Sequence, residues 1–181
     1  MRWQDLFADL EAQLRHAQQR EQDVEVSDRT RRERAEIRWA DRVAGSIGAE
    51  LSVTTPVGTT RGRLDDLGKD WLLLADERGL GATLIPTSAV LTVSGATRLV
   101  DAEQGFGRRF GVGVALRAIS RDRAAVEVFD LAGGQTSGTI DVVGADYLEV
   151  AEHPADLPRR SEAVTGRRLV VFSSLAAVRR R

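Results

Sequence analysis

The sequence predicts an α+β protein: an N-terminal helical arm, then two tandem five-stranded small barrels, each preceded by a helix. Three observations carry this. A run of glycines and apolar residues recurs 76 positions later without a gap. The recurring runs alternate in the two-residue period of strands. A stretch with helical spacing stands ahead of each run.

The repeat is explicit. Residues 58–75 align with 134–151, so that Gly58, Gly62 and Gly68 match Gly134, Gly138 and Gly144. Asp65, Asp70 and Leu72 match Asp141, Asp146 and Leu148, while Leu64, Leu67 and Trp71 become Ile140, Val143 and Tyr147, which keep the physical type. Self-similarity of this kind signals a repeated structural unit. Gly58 and Gly134 suit hairpin turns, where glycine takes a positive φ cheaply. Gly62 and Gly138 fall inside strands, as glycines at bulges or sharp bends do. A short alternating strand precedes each run (Leu51, Val53, Thr55; Val126, Val128, Asp130), and a strand, tight turn and strand follow it over 83–93 and 169–178.

Helical spacing puts Ile37, Ala40, Val43, Ala44 and Ile47 on one face within 28–47, and Val112, Ala115, Leu116 and Ile119 on one face within 111–121. The expected organisation is an arm over 1–27, a first helix and barrel over 28–95, a linker over 96–110 and a second helix and barrel over 111–181. In the arm, Trp3, Phe7, Leu10 and Leu14 form a heptad-like seam. It is too short to be stable alone, so it should pack on a barrel, a second chain or a partner. Val24–Ser27 should end it, since β-branched residues there meet a Ser-Asp helix start.

A helix, five bent strands, a glycine-bearing second strand and a short turn before the fifth resemble the Sm-like (LSm and Hfq-type) small β-barrel family, duplicated in tandem. The carrying residues are Gly58, Gly62 and Leu64, then Asp70–Leu74, then Leu84–Val90, and their second-half counterparts. Other SH3-like barrels share these features. The resemblance implies strands four and five exposed as assembly edges. It does not carry an RNA site: Leu72 and Leu148 stand where the family's base-recognising asparagine would fall, and Pro86-Thr87 and Phe172-Ser173 replace its second contact pair.

Composition narrows the chemistry. The chain has 181 residues, no cysteine and a formal charge of -1, so thiolate chemistry and cysteine-bound zinc are excluded. No apolar run of about 18 residues offers a membrane span, and the N-terminus lacks a signal-peptide core, so cytoplasmic residence is expected. Lys69 is the only lysine beside 25 arginines, which points to a bacterium with a GC-rich genome. The repeated aspartates read as turn formers, and the glycines over 105–113 match no phosphate-binding loop. His16 and His153 lie far apart, with no adjacent nucleophile. No acid–base pair or nucleophile set assembles, so an enzyme is not expected, nor is a cofactor or metal.

Three roles stay open: a self-associating assembly or adaptor module, an RNA-binding protein of low sequence specificity, and a small-ligand sensor. A protein partner is expected, with a dimer slightly favoured over a trimer through the arm residues Trp3, Phe7, Leu10 and Leu14. RNA, if bound, would meet Arg108, Arg109, Arg159, Arg160, Arg167 and Arg168. Between 103 and 181, however, 12 arginines face 10 acids, a weak local excess.

Overall fold

A computed structural model describes residues 35–76, 81–97, 109–154 and 164–180. The chain divides into Met1–Trp39 and Ala40–Arg181. Of the first, residues 35–39 are described, and all are exposed. The arm residues Trp3, Phe7, Leu10 and Leu14 lie outside the described residues.

The second unit is built on strands. After helix α1 (Trp39–Ala44) come β1 (Glu50–Thr55), β2 (Gly58–Leu67), β3 (Trp71–Ala75), β4 (Ala82–Pro86), a 3-10 turn (Thr87–Ala89) and β5 (Thr92–Ser94). Helix α2 (Val112–Arg121) precedes β6 (Ala125–Asp130), β7 (Gln135–Val143), β8 (Tyr147–Glu152), β9 (Gly166–Val171), a second 3-10 turn (Phe172–Ser174) and β10 (Leu175–Arg180).

The expected two barrels behind helices are not what the chain forms. All ten strands lie in one antiparallel sheet, ordered β5-β1-β2-β3-β4-β10-β6-β7-β8-β9, with two helices among the described residues. The reason is a strand edge. β10 pairs β6 on one side, with Val178 opposite Val128, and β4 on the other, with Val178 opposite Leu84. An unpaired edge presents a row of unsatisfied N–H and C=O groups. Here the edges of the two halves satisfy each other and fuse them.

The cores interlock across this seam. Trp71 and Leu84, from the first half, are buried with Val112, Leu116, Val128 and Val178 of the second. In return, Ala177 of β10 is buried with Val53, Leu64, Leu74 and Ile85.

Pairing registers recur between the two halves. Leu51 faces Gly62, and Val126 faces Gly138. A bulge shifts the register between Leu64 and Asp66, and another shifts it between Ile140 and Val142. A Cβ on Gly62 would overlap the Ala75 carbonyl oxygen, and one on Gly138 that of Ala151. These glycines are therefore required by close strand approach at the bend.

Two local expectations change. The first-half helix is six residues long, and of its expected apolar face Val43 and Ala44 are buried while Ile37 and Ile47 are exposed. Gly48, at φ 87°, turns the chain so that its N–H donates to Leu64 O at 2.8 Å. The hairpins also differ. Gly58 has φ 127° in a two-residue loop, but in the second half it is Gly133, not Gly134, that takes positive φ. There the Asp130 carboxylate accepts from the N–H groups of Ala132 (2.8 Å) and Gly134 (2.9 Å) and shapes the longer loop.

Trp71 closes the seam. It is 6% exposed, and its indole N–H donates to Phe110 O at 3.0 Å. Trp71→Ala should cost about 3–5 kcal/mol in chemical denaturation, and Trp71→Phe should lose mainly the hydrogen bond, about 1 kcal/mol. Gly138→Ala should cost about 1–3 kcal/mol, because the obstacle is backbone that cannot give way without opening the β7–β8 ladder.

Candidate functional site

Position in the sheet singles out β9. It pairs β8 on its inner side, with Leu169 opposite Glu149 and Val170 opposite Leu148, and is the last strand of the sheet. Its first-half counterpart, β4, makes the same pairs with β3: Leu84 opposite Leu73, Ile85 opposite Leu72. The two strands differ in what covers their outer side. β10 covers β4, and Leu84 is 1% exposed. No described strand covers β9, and Leu169 is 58% exposed, with Val171 at 42%.

An apolar residue at such a site promotes unwanted pairing unless charge intervenes. Two candidate arginines supply it. Arg168 Nε donates to Glu152 Oε1 at 2.6 Å, and an Arg167 guanidinium nitrogen lies 3.8 Å from Glu149 Oε1. Both carboxylates belong to β8, so the strand's positive charge is compensated within the sheet. Beside β9 is an open cleft of about 390 Å³, lined by Val128, Thr136, Leu169, Val170, Val171 and Ser174 among others. A second, of about 420 Å³, lies at the seam and includes Thr60, Arg61, Asp76, Thr83, Arg179 and Arg180. Two of its arginines are engaged too: Arg180 meets Asp122 at 2.7 Å, and Arg179 meets Glu127 at 3.7 Å and stacks over Phe129.

At the opposite end of the sheet stands β5. It is three residues long, with Val93 opposite Val53 and a 62% exposed Leu91 just before it.

Of the six arginines proposed for nucleic acid, the structure brings Arg167 and Arg168 together on β9. Arg109 is exposed ahead of α2. Arg108, Arg159 and Arg160 lie outside the described residues. Sequence reasoning did not single out Leu169, Val171 or Leu91. The available signal was that position 169 keeps an apolar residue matching Leu84; that no described strand covers it is visible in the fold alone.

Three of the four repeated aspartates serve the backbone or a nearby arginine. Asp70 Oδ1 accepts the Val112 N–H at 2.6 Å, so a turn in the first half caps a helix in the second. The adjacent Lys69 N–H donates to Phe110 O at 2.9 Å. Asp65 pairs with Arg63 at 2.7 Å and Asp141 with Arg123 at 3.2 Å. Asp146 is exposed in its turn. His153 is buried, with Nδ1 2.9 Å from Pro154 O and Nε2 2.8 Å from Thr139 Oγ1. A proline carbonyl can only accept, so Nδ1 donates. His16 lies outside the described residues. Among the described residues no group of three or more His, Cys, Asp or Glu is placed to hold a metal ion. No described helix is long and apolar enough to cross a membrane.

The cap separates the aspartates by role. Asp70→Ala should lower stability by about 0.5–2 kcal/mol in urea denaturation, and Asp70→Asn by less, since the amide oxygen still accepts. Asp146→Ala should stay within about 0.5 kcal/mol of the parent, as exposed substitutions do. A loss at Asp146 equal to that at Asp70 would show that its carboxylate has a partner of its own.

No known protein family matches the chain, nor does any curated protein sequence match it significantly.

Proposed function

We propose that this chain is a non-enzymatic assembly module that self-associates through the outer edge of β9, which no described strand covers. The observation that carries the reading is the contrast between two matching strands. β4 has its outer side covered and Leu84 buried, whereas β9 keeps an apolar residue at the same place, 58% exposed. Scattered exposed apolar side chains need no explanation. Leu169 and Val171 are different, because they sit on a six-residue edge strand beside an open cleft of mixed polar and apolar lining. Strand addition to such an edge draws affinity from backbone hydrogen bonds and specificity from the alternating side chains.

The charge pattern favours a protein partner over nucleic acid at this edge. Arg167 and Arg168 are already held by carboxylates of β8. A phosphate would have to compete with those carboxylates or accept their repulsion.

Multi-angle light scattering of the full-length protein tests the reading. The expected result is a mass above that of one chain, falling on dilution. Leu169→Asp combined with Val171→Asp should shift the protein to the monomer with its thermal midpoint nearly unchanged, since both positions are exposed. A parent that is monomeric at every concentration, or a double variant that associates as before, would remove the proposal.

A further inference from the structure

We infer that the cleft at the seam holds the phosphate group of a small phosphate ester. The inference is independent of any contact at β9. It starts from a row of residues that crosses the seam: Leu74 on β3 stands opposite Thr83 on β4, and Thr83 stands opposite Arg179 on β10. The second half has the start of the same row, with Val150 opposite Arg168. An arginine thus takes the place of Thr83 there. It donates at 2.6 Å to Glu152, the counterpart of Asp76, so the second half meets that guanidinium with a carboxylate of its own. The first half has the shorter threonine. The cleft of about 420 Å³ lies at that place, lined by Thr60, Arg61, Leu74, Asp76, Thr83 and Arg179 among others.

Three groups in this cleft have donors to spare. Thr83 is 6% exposed, yet its hydroxyl has no hydrogen-bond partner among the described residues. A buried polar group of that kind calls for a partner. Arg61 is exposed, and its side chain makes no ion pair or hydrogen bond with a described residue. Arg179 lies 3.7 Å from Glu127, beyond hydrogen-bond distance, so that pair steadies the guanidinium over Phe129 without using its N–H groups. Asp76 is the single carboxylate among the described lining residues, and it has an interaction of its own. The guanidiniums therefore outweigh it at the cleft. The spare donors stand on three strands, β2, β4 and β10, and approach from different directions. A phosphate offers three strong acceptor oxygens to such a set, whereas a planar carboxylate is satisfied by one arginine fork. The volume falls in the range of small-molecule sites, roughly 300–1,000 Å³, which leaves room for an organic group beside the phosphate.

Isothermal titration calorimetry of the full-length protein tests this, at fixed ionic strength with chloride as the background anion. The probes are inorganic phosphate, glycerol phosphate and succinate. Expected is saturable binding of both phosphates, tighter for the ester, and none of succinate. Arg61→Gln and Thr83→Val should each weaken binding about tenfold or more, the usual loss of a hydrogen bond to a charged group. Arg63→Gln, two residues along and paired with Asp65, should leave it unchanged. Arg61 is exposed, so Arg61→Gln keeps the test decisive should Thr83→Val fail to fold. Phosphate bound with the ester excluded overturns the ester as ligand. Saturable binding of neither, succinate bound as tightly as phosphate, or a loss at Arg63→Gln equal to that at Arg61→Gln overturns the site. None of these outcomes bears on self-association, which light scattering reads separately.

Discussion

The structure depends on one strand being used twice. β10 donates and accepts backbone hydrogen bonds along both edges, towards β6 and towards β4. Remove it, and two cores open at once: Leu84 loses its cover, and Val53 and Ile85 lose Ala177. The helix cap from Asp70 to Val112 and the indole bond from Trp71 to Phe110 also join the two halves. Each is a modest interaction alone. Together they tie the halves so closely that neither half's core is made of its own residues alone.

The strands were legible in the sequence because their determinants are local. Alternation placed Leu51, Val53 and Thr55 on the inner face, and all three are buried. Gly62 and Gly138 announced bends, and each stands against a partner-strand carbonyl that leaves no room for a side chain. Helix α2 matched its spacing nearly residue for residue, with Val112 and Leu116 buried.

What was not legible is non-local. Two five-stranded units with free edges and one ten-stranded sheet share the same hydrophobic pattern. The choice lies in whether β10 turns one edge or two to other strands. The exposure of Leu169 follows from that choice, so residue type alone could not reveal it. The short first helix was misread for a related reason: Ile37 and Ile47 have the right spacing, but Gly48 turns the chain into the sheet before Ile47 can reach the core. Arginine pairs that looked like phosphate ligands in sequence find carboxylates once β8 and β9 lie side by side.

The long stretch of sequence between β4 and β10 has a kinetic consequence. The strand that completes the first half's core is the last described element to leave the ribosome. Until it arrives, β4 has an open apolar edge, and the pairing that closes it joins residues far apart in sequence. Contacts of that kind carry the full loop-closure cost and form slowly. During synthesis the first half therefore waits, incomplete, with an edge like that of β9, which no described strand covers. A second nascent chain nearby offers the same strand types, so polysomes are where correct closure and exchange of β10 between chains compete most directly.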